Sequence, residues 1–152
     1  MISLANKYRP SDFKSVIGQE HITALLQPIV NGRKLPSGIT FVGTAGSGKS
    51  TLGRIMAKAA NCTSDVKPCN ECENCKLFNK LKSDGMPAYP DYLEVDAASY
   101  GKKSDVESLL DLASRAPTIQ GGIRVILLDE AHRMSKEAFD SLLKPLEEGT
   151  LS

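Results

Sequence analysis

Apolar residues recur along this chain in two rhythms, one helical and one extended. Ile22, Leu25, Leu26, Ile29 and Val30 follow the i, i+3, i+4, i+7, i+8 spacing of a helix that buries one face, and Pro28 inside it is expected to kink or shorten it. Leu52, Ile55, Met56 and Ala59 give a second helical stripe. Val106, Leu109, Leu110 and Ala113 give a third, opened by a capping box from Ser104 to Glu107 and ended before Pro117. Ser135 caps a last helix in which Phe139, Leu142, Leu143 and Leu146 are expected to face inward, with Pro145 inside it. Between these stripes lie three short apolar runs, "ITFVG" (39–43), "YLEVDA" (92–97) and "RVILLDE" (124–130). Each reads as a strand, and the last, apolar on both faces, as a central strand of a parallel sheet. Strands alternating with helices predict an α/β fold with a parallel sheet and flanking helices.

Composition bounds this picture without changing it. The 152 residues suffice for one domain with a sizeable core, and with 41% hydrophobic residues and no tryptophan that core must be mainly aliphatic. A net charge of +1 predicts neither a nucleic-acid binder nor a membrane binder. No run approaches the eighteen or so apolar residues of a membrane span, and "MISLANKYRP" has no apolar stretch of signal-peptide length. The expected compartment is therefore the cytoplasm, where thiols stay reduced.

Two polar stretches carry the chemistry. "GTAGSGKS", from Gly43 to Ser50, matches G-x-x-x-x-G-K-[ST] between a predicted strand and a predicted helix. Glycines let successive backbone N–H groups of Gly43, Thr44, Ala45, Gly46, Ser47 and Gly48 turn inward on phosphate oxygens, and the following helix offers its positive end. Lys49 would reach the β- and γ-phosphates of a nucleotide such as ATP, and the Ser50 hydroxyl would bind Mg²⁺. At the end of the third run, Asp129 is the expected Mg²⁺ partner and Glu130 the expected base for an attacking water, because open α/β sheets bind ligands at the carboxyl edge. His132 completes a DEAH string and reads as loop.

The second stretch, "NCTSDVKPCNECENCK", holds every cysteine of the chain: Cys62, Cys69, Cys72 and Cys75. Closely spaced thiols on tight turns suit tetrahedral Zn²⁺ with four sulfur ligands. Such a site has no open position, so its role would be structural, stapling a polar insert over 62–75 that buries little of its own. Free thiols or a redox CxxC are the alternatives, and a redox motif needs only two cysteines.

The order of these parts, "KYRPSDFKSVIGQEH", "GTAGSGKST", the cysteine insert, "EVDAAS" and "VILLDEAHRMSKEAFDSLLKPLEE", resembles the gamma/tau subunits of the bacterial DNA polymerase III clamp loader, AAA+ P-loop ATPases. The resemblance implies that 1–152 is part of an AAA+ nucleotide-binding domain. It implies that Tyr8, Arg9, Pro10, Val16 and Ile17 line the adenine side, with Thr51 just behind the phosphates. It also implies partners: ATP, other loader subunits, the sliding clamp, and primer–template DNA through the assembled complex. Two positions depart from the family pattern, Pro145 within a helix and Gly149 where a proline pair is usual. The family's fourth strand with its polar sensor, its fifth strand, its arginine finger and its helical lid have no counterpart in these residues. A fragment, a frameshift product and a phage-borne remnant all fit, and each is expected to be marginally stable and a poor ATPase alone. Two other functions stay open: a non-hydrolysing nucleotide- and zinc-binding interaction piece, and a different AAA+ DNA motor of the replication factor C or branch-migration type.

Overall fold

The computed structural model describes residues 8–32 and 34–148, so Gly149 lies outside the described residues, as does Arg33. In chain order the elements are α1 (Glu20–Asn31), α2 (Lys49–Ala60), α3 (Glu73–Asn79), β1 (Tyr92–Asp96), α4 (Lys103–Ser114), β2 (Val125–Asp129) and α5 (Lys136–Glu147), with short 3₁₀ turns at Phe13–Ser15, Ala97–Ser99 and Ala131–Arg133. They fall into two compact units. The first takes the chain up to Leu35 and from Phe41 to Pro90, and the second takes Pro36–Thr40 and the chain from Asp91 onward. No helix among the described residues is long and apolar enough to cross a membrane.

The first unit is built where the α1 and α2 stripes meet. Leu26 and Val30 of α1 bury against Leu52, Ile55, Met56 and Ala59 of α2, with Phe13 closing the cluster and Val16, Ile22, Leu35 and Phe41 packed around it. The α1 stripe is narrower than its spacing predicts: Leu25 is 67% exposed. The i, i+4, i+8 line through Ile22, Leu26 and Val30 faces α2, and Leu25 falls on its flank. The helix runs through Pro28, which removes one backbone donor. Pro28 sits on the exposed side, where water can satisfy the carbonyl left over.

The sequence pattern does not announce α3, which begins inside the cysteine stretch and runs past it. Phe78 of α3 stacks on Tyr89, with ring centroids 4.4 Å apart. Tyr89 is fully buried and its hydroxyl donates to Asn61 Oδ1 at 3.0 Å. This aromatic pair lies just beyond the 62–75 insert.

In the second unit β1 and β2 pair in parallel, in register from Tyr92↔Val125 to Asp96↔Asp129. Ala97, Val106, Met134 and Ala138 form its core, with Tyr100, Leu110, Leu128 and Leu142 packed around them. Asp91 sets the start of the sheet. Its carboxylate accepts from the N–H groups of Thr118 and Ile119 and from Arg124 Nη2, each at 2.8–2.9 Å, while its carbonyl accepts from Val125 N. Burial pushes the Asp91 carboxyl up, but those donors more than offset it and hold it below the ordinary carboxylate value. Ser135 Oγ caps α5 by accepting from Ala138 N, and it donates to the carbonyl of Gly101 at 2.8 Å.

Four expectations need correction. The run Ile39–Gly43 pairs with no strand among the described residues, so the sheet has two strands. Strand propensity needs a neighbour to ladder with, and these residues supply none beside it. β2 is half-buried at all five positions rather than central. The first turn of α4 is capped two residues earlier than the Ser104 box predicts, by the Asp105 carboxylate accepting from Lys102 N at 3.0 Å. Phe139 is 37% exposed, and Ala138 takes the buried place beside it. α5 also continues through Pro145.

Candidate functional site

The phosphate-loop sequence lies in the first unit, at the start of α2. Gly46 and Gly48 adopt φ of +77° and +88°, backbone that side chains with a Cβ rarely take. At Gly43 a Cβ would lie 2.8 Å from Ser47 Oγ, so the loop curls too tightly there for any larger residue without a shift of Ser47. Lys49 folds back over the curl, its ammonium donating to the carbonyls of Gly43 at 3.0 Å and Thr44 at 2.8 Å. Thr44 O also accepts from Ser47 N, closing the turn. Ser50 and Thr51 follow in the first turn of α2, whose cap residue Gly48 makes no side-chain cap bond.

The N-terminal box lies in the same unit, and two of its residues touch this loop. Gln19 Nε2 donates to Ser47 O at 3.5 Å and Arg9 Nη1 to Thr51 Oγ1 at 3.4 Å. Pro10 is half-buried and Val16 packs on the core, whereas Tyr8 is 73% and Ile17 92% exposed.

The acidic pair lies in the second unit. Asp129 ends β2 opposite Asp96, and its Oδ1 accepts from Glu130 N at 3.0 Å. Glu130 has φ +54°, an uncommon backbone for a residue with a side chain, which turns the chain sharply at the strand end. Its Oε2 lies 3.3 Å from His132 Nε2.

The four cysteines converge. The Sγ atoms of Cys62, Cys69, Cys72 and Cys75 all lie within 4.8 Å of one another, and those of Cys62 and Cys72 are 4.0 Å apart. Four sulfurs at 2.3 Å around one tetrahedral Zn²⁺ stand about 3.8 Å apart, so this set fits that ion with small adjustment. The knuckle is preshaped by backbone donors. Cys69 Sγ accepts from the N–H groups of Glu71 and Cys72, Cys72 Sγ from Cys75 N, and Cys62 Sγ from Cys69 N, all at 3.3–3.5 Å. The thiols differ accordingly. Burial pushes Cys62 and Cys75 up, whereas the donors to Cys69 bring it down. At Cys72 burial opposes, yet the N–H groups of Thr63 and Cys75 prevail and lower it to about 6.

The sequence pattern misses the residues that hold this knuckle. Asn70 adopts φ +62° in the Cys69–Cys72 turn, and Lys58 is buried to 3% exposure beside it. A lysine three residues after Ile55, next to the buried stripe of α2, was the available signal.

Comparison with known proteins agrees with the order of these parts. A family model described as "DNA polymerase III, delta subunit" matches residues 18–151. The chain is 41% identical over 147 residues to the DNA polymerase III subunit tau/gamma of Haemophilus influenzae, and 40% over 148 residues to the subunit tau of Escherichia coli. It is 38% identical over 149 residues to the subunit gamma/tau of Mycobacterium tuberculosis. These alignments cover 95, 95 and 97% of this chain but only 20, 22 and 25% of the relatives. With that model spanning nearly all of its described residues, the chain belongs to the DNA polymerase III delta-subunit family, and it is similar to the first fifth to quarter or so, by length, of gamma and tau subunits.

Proposed function

We propose that this chain is the ATP-binding module of a DNA polymerase III clamp loader, part of an AAA+ ATPase domain that couples ATP binding and hydrolysis to clamp loading in replication. The observation that carries the reading is the curl Gly43–Ser50, with two left-handed glycines, a folded-over Lys49 and the start of α2 behind it. A helix start suits phosphates, because its backbone N–H groups and the helix dipole act together on one anion. By the family resemblance, Ser50 in the first unit is assigned to Mg²⁺, which neutralises phosphate charge, and in the second unit Asp129 is assigned to Mg²⁺ and Glu130 to the proton of the attacking water. Arg9, in contact with Thr51, and Tyr8, Pro10, Val16 and Ile17 would flank the adenine. The four thiolates would hold a structural Zn²⁺. The partners this reading implies are other loader subunits, the sliding clamp and primer–template DNA within the complex, in the cytoplasm.

The decisive test is titration of the protein with MgATP. Lys49→Ala leaves the phosphate charge uncompensated and should weaken binding at least about tenfold, the scale of a lost charge-assisted hydrogen bond. Equal affinity in the two proteins would sink the assignment. The unladdered Ile39–Gly43 run, which leads into the loop, favours a second reading, a nucleotide- and zinc-binding piece without turnover. Phosphate release with partner subunits and primed DNA present separates the two: turnover that Glu130→Gln abolishes belongs to the first.

A further inference from the structure

Lys58 lies on α2, nine residues after Lys49, and is 3% exposed. A buried ammonium is costly unless its donors are used and its charge is balanced. Its Nζ donates to Asn70 Oδ1 at 2.6 Å and to Asn79 Oδ1 at 2.9 Å. Asn70 stands in the turn between Cys69 and Cys72, and Asn79 ends α3, the helix that carries Cys75. One cation therefore grips both arms of the knuckle. Neither asparagine carries charge, and the only carboxylate in this chain of bonds, Asp12, is reached through Asn70 Nδ2 at 3.1 Å. Burial lowers the proton affinity of Lys58, and the charges that pull the other way are those of Cys75, Asp12, Cys62 and Cys69.

A divalent ion with four thiolates carries two net negative charges, which in a partly buried site need a nearby cation. We infer that Lys58 is the positioning residue of the four-cysteine centre, its ammonium setting the Cys69–Cys72 turn and the Cys75 helix while balancing the charge of the metal–thiolate group. The inference rests on the reading of these cysteines as a metal site. It also gives α2 two lysines with distinct tasks, Lys49 at its start and Lys58 in its last turn.

The test loads the full chain with Co²⁺ and with Zn²⁺, records the thiolate-to-cobalt charge-transfer band, and measures Zn²⁺ retention by competition with a chelator. The parent protein should bind one equivalent, and failure to do so would overturn the metal reading and this inference together. Lys58→Met keeps length and burial but removes the charge and donors. It should lose Zn²⁺ to chelator ten- to a hundredfold more readily, the usual range for a lost partner of metal ligands. Its charge-transfer band should move to longer wavelength, because thiolates without a neighbouring cation give up electrons more easily. A purely architectural lysine would leave that band in place. Retention within twofold of the parent and an unmoved band would overturn the role of Lys58 while leaving the metal site standing. Should Lys58→Met fail to fold, Asn70→Gly carries the test. Glycine accepts the left-handed backbone at that position but removes the acceptor that ties the ammonium to the turn. It should weaken Zn²⁺ retention by a smaller factor, and parent-like retention would overturn the inference.

Discussion

Asp91 shows how much one side chain can be asked to hold. Its side chain is fully buried, and it neutralises Arg124 while ordering the turn at Thr118–Ile119. Asp91→Ala leaves the guanidinium without its charge partner, and such a break costs about 3–5 kcal/mol. Chemical denaturation of the parent and the variant should show a loss of that size. The pH dependence follows from the same contacts. The folded carboxyl titrates below its ordinary value, so its contribution is complete above the unfolded pKa of about 4 and disappears as pH falls through the folded value. The parent should therefore lose stability steeply below about pH 4, and Asp91→Asn should lack that component. Asp91 is not legible as special in the sequence, and Lys58 only from its place beside the buried stripe of α2. Each is an ordinary charged residue until the fold buries it.

At the scale of elements, Pro28 is the position where a substitution should help. α1 has twelve residues and forms although Pro28 lacks the N–H that would bond to Ala24. Pro28→Ala restores that donor on an exposed face, and the protein should gain about 1–3 kcal/mol, seen as a higher midpoint in thermal unfolding. An unchanged midpoint would mean that the proline ring contributes packing of its own. The helices α1, α2, α4 and α5 are legible from their apolar spacing, as are β1 and β2 from their apolar runs. α3 is not, because its seven residues, "ENCKLFN", are mostly polar and its order comes from Cys72 at its cap and from the Phe78–Tyr89 stack. Ile39–Gly43 misleads in the opposite sense: its composition is that of a strand, but strand formation is a property of two segments, and one segment reveals nothing of the other. In the candidate site, the glycine curl at Gly43–Ser50 and the meeting of the four cysteines are legible because short motifs encode them. The asparagines and lysine that brace the knuckle come together only in three dimensions.

For the molecule as a whole, the unpaired run has a physical consequence. Val42 is 92% exposed and Ile39 40% exposed, within a β-prone segment whose backbone has no ladder partner among the described residues. Such a segment templates pairing with another chain. The protein should therefore self-associate at micromolar concentration, and Val42→Lys should suppress this in light scattering while changing unfolding stability by no more than about 0.5 kcal/mol. Equal scattering by both proteins would place the sticky surface elsewhere.

Ser135 spends one hydroxyl twice, as acceptor for the first turn of α5 and as donor to Gly101, thirty-four residues earlier and just ahead of α4. In the language of local opening, the two helix starts are then one cooperative unit: releasing either exposes the other. Amide hydrogens at the start of α4 and α5 should exchange with closely matched protection. In Ser135→Ala the α5 amides should lose about 1 kcal/mol of protection, the worth of a cap, and those after Gly101 should loosen with them although nothing near them has been altered.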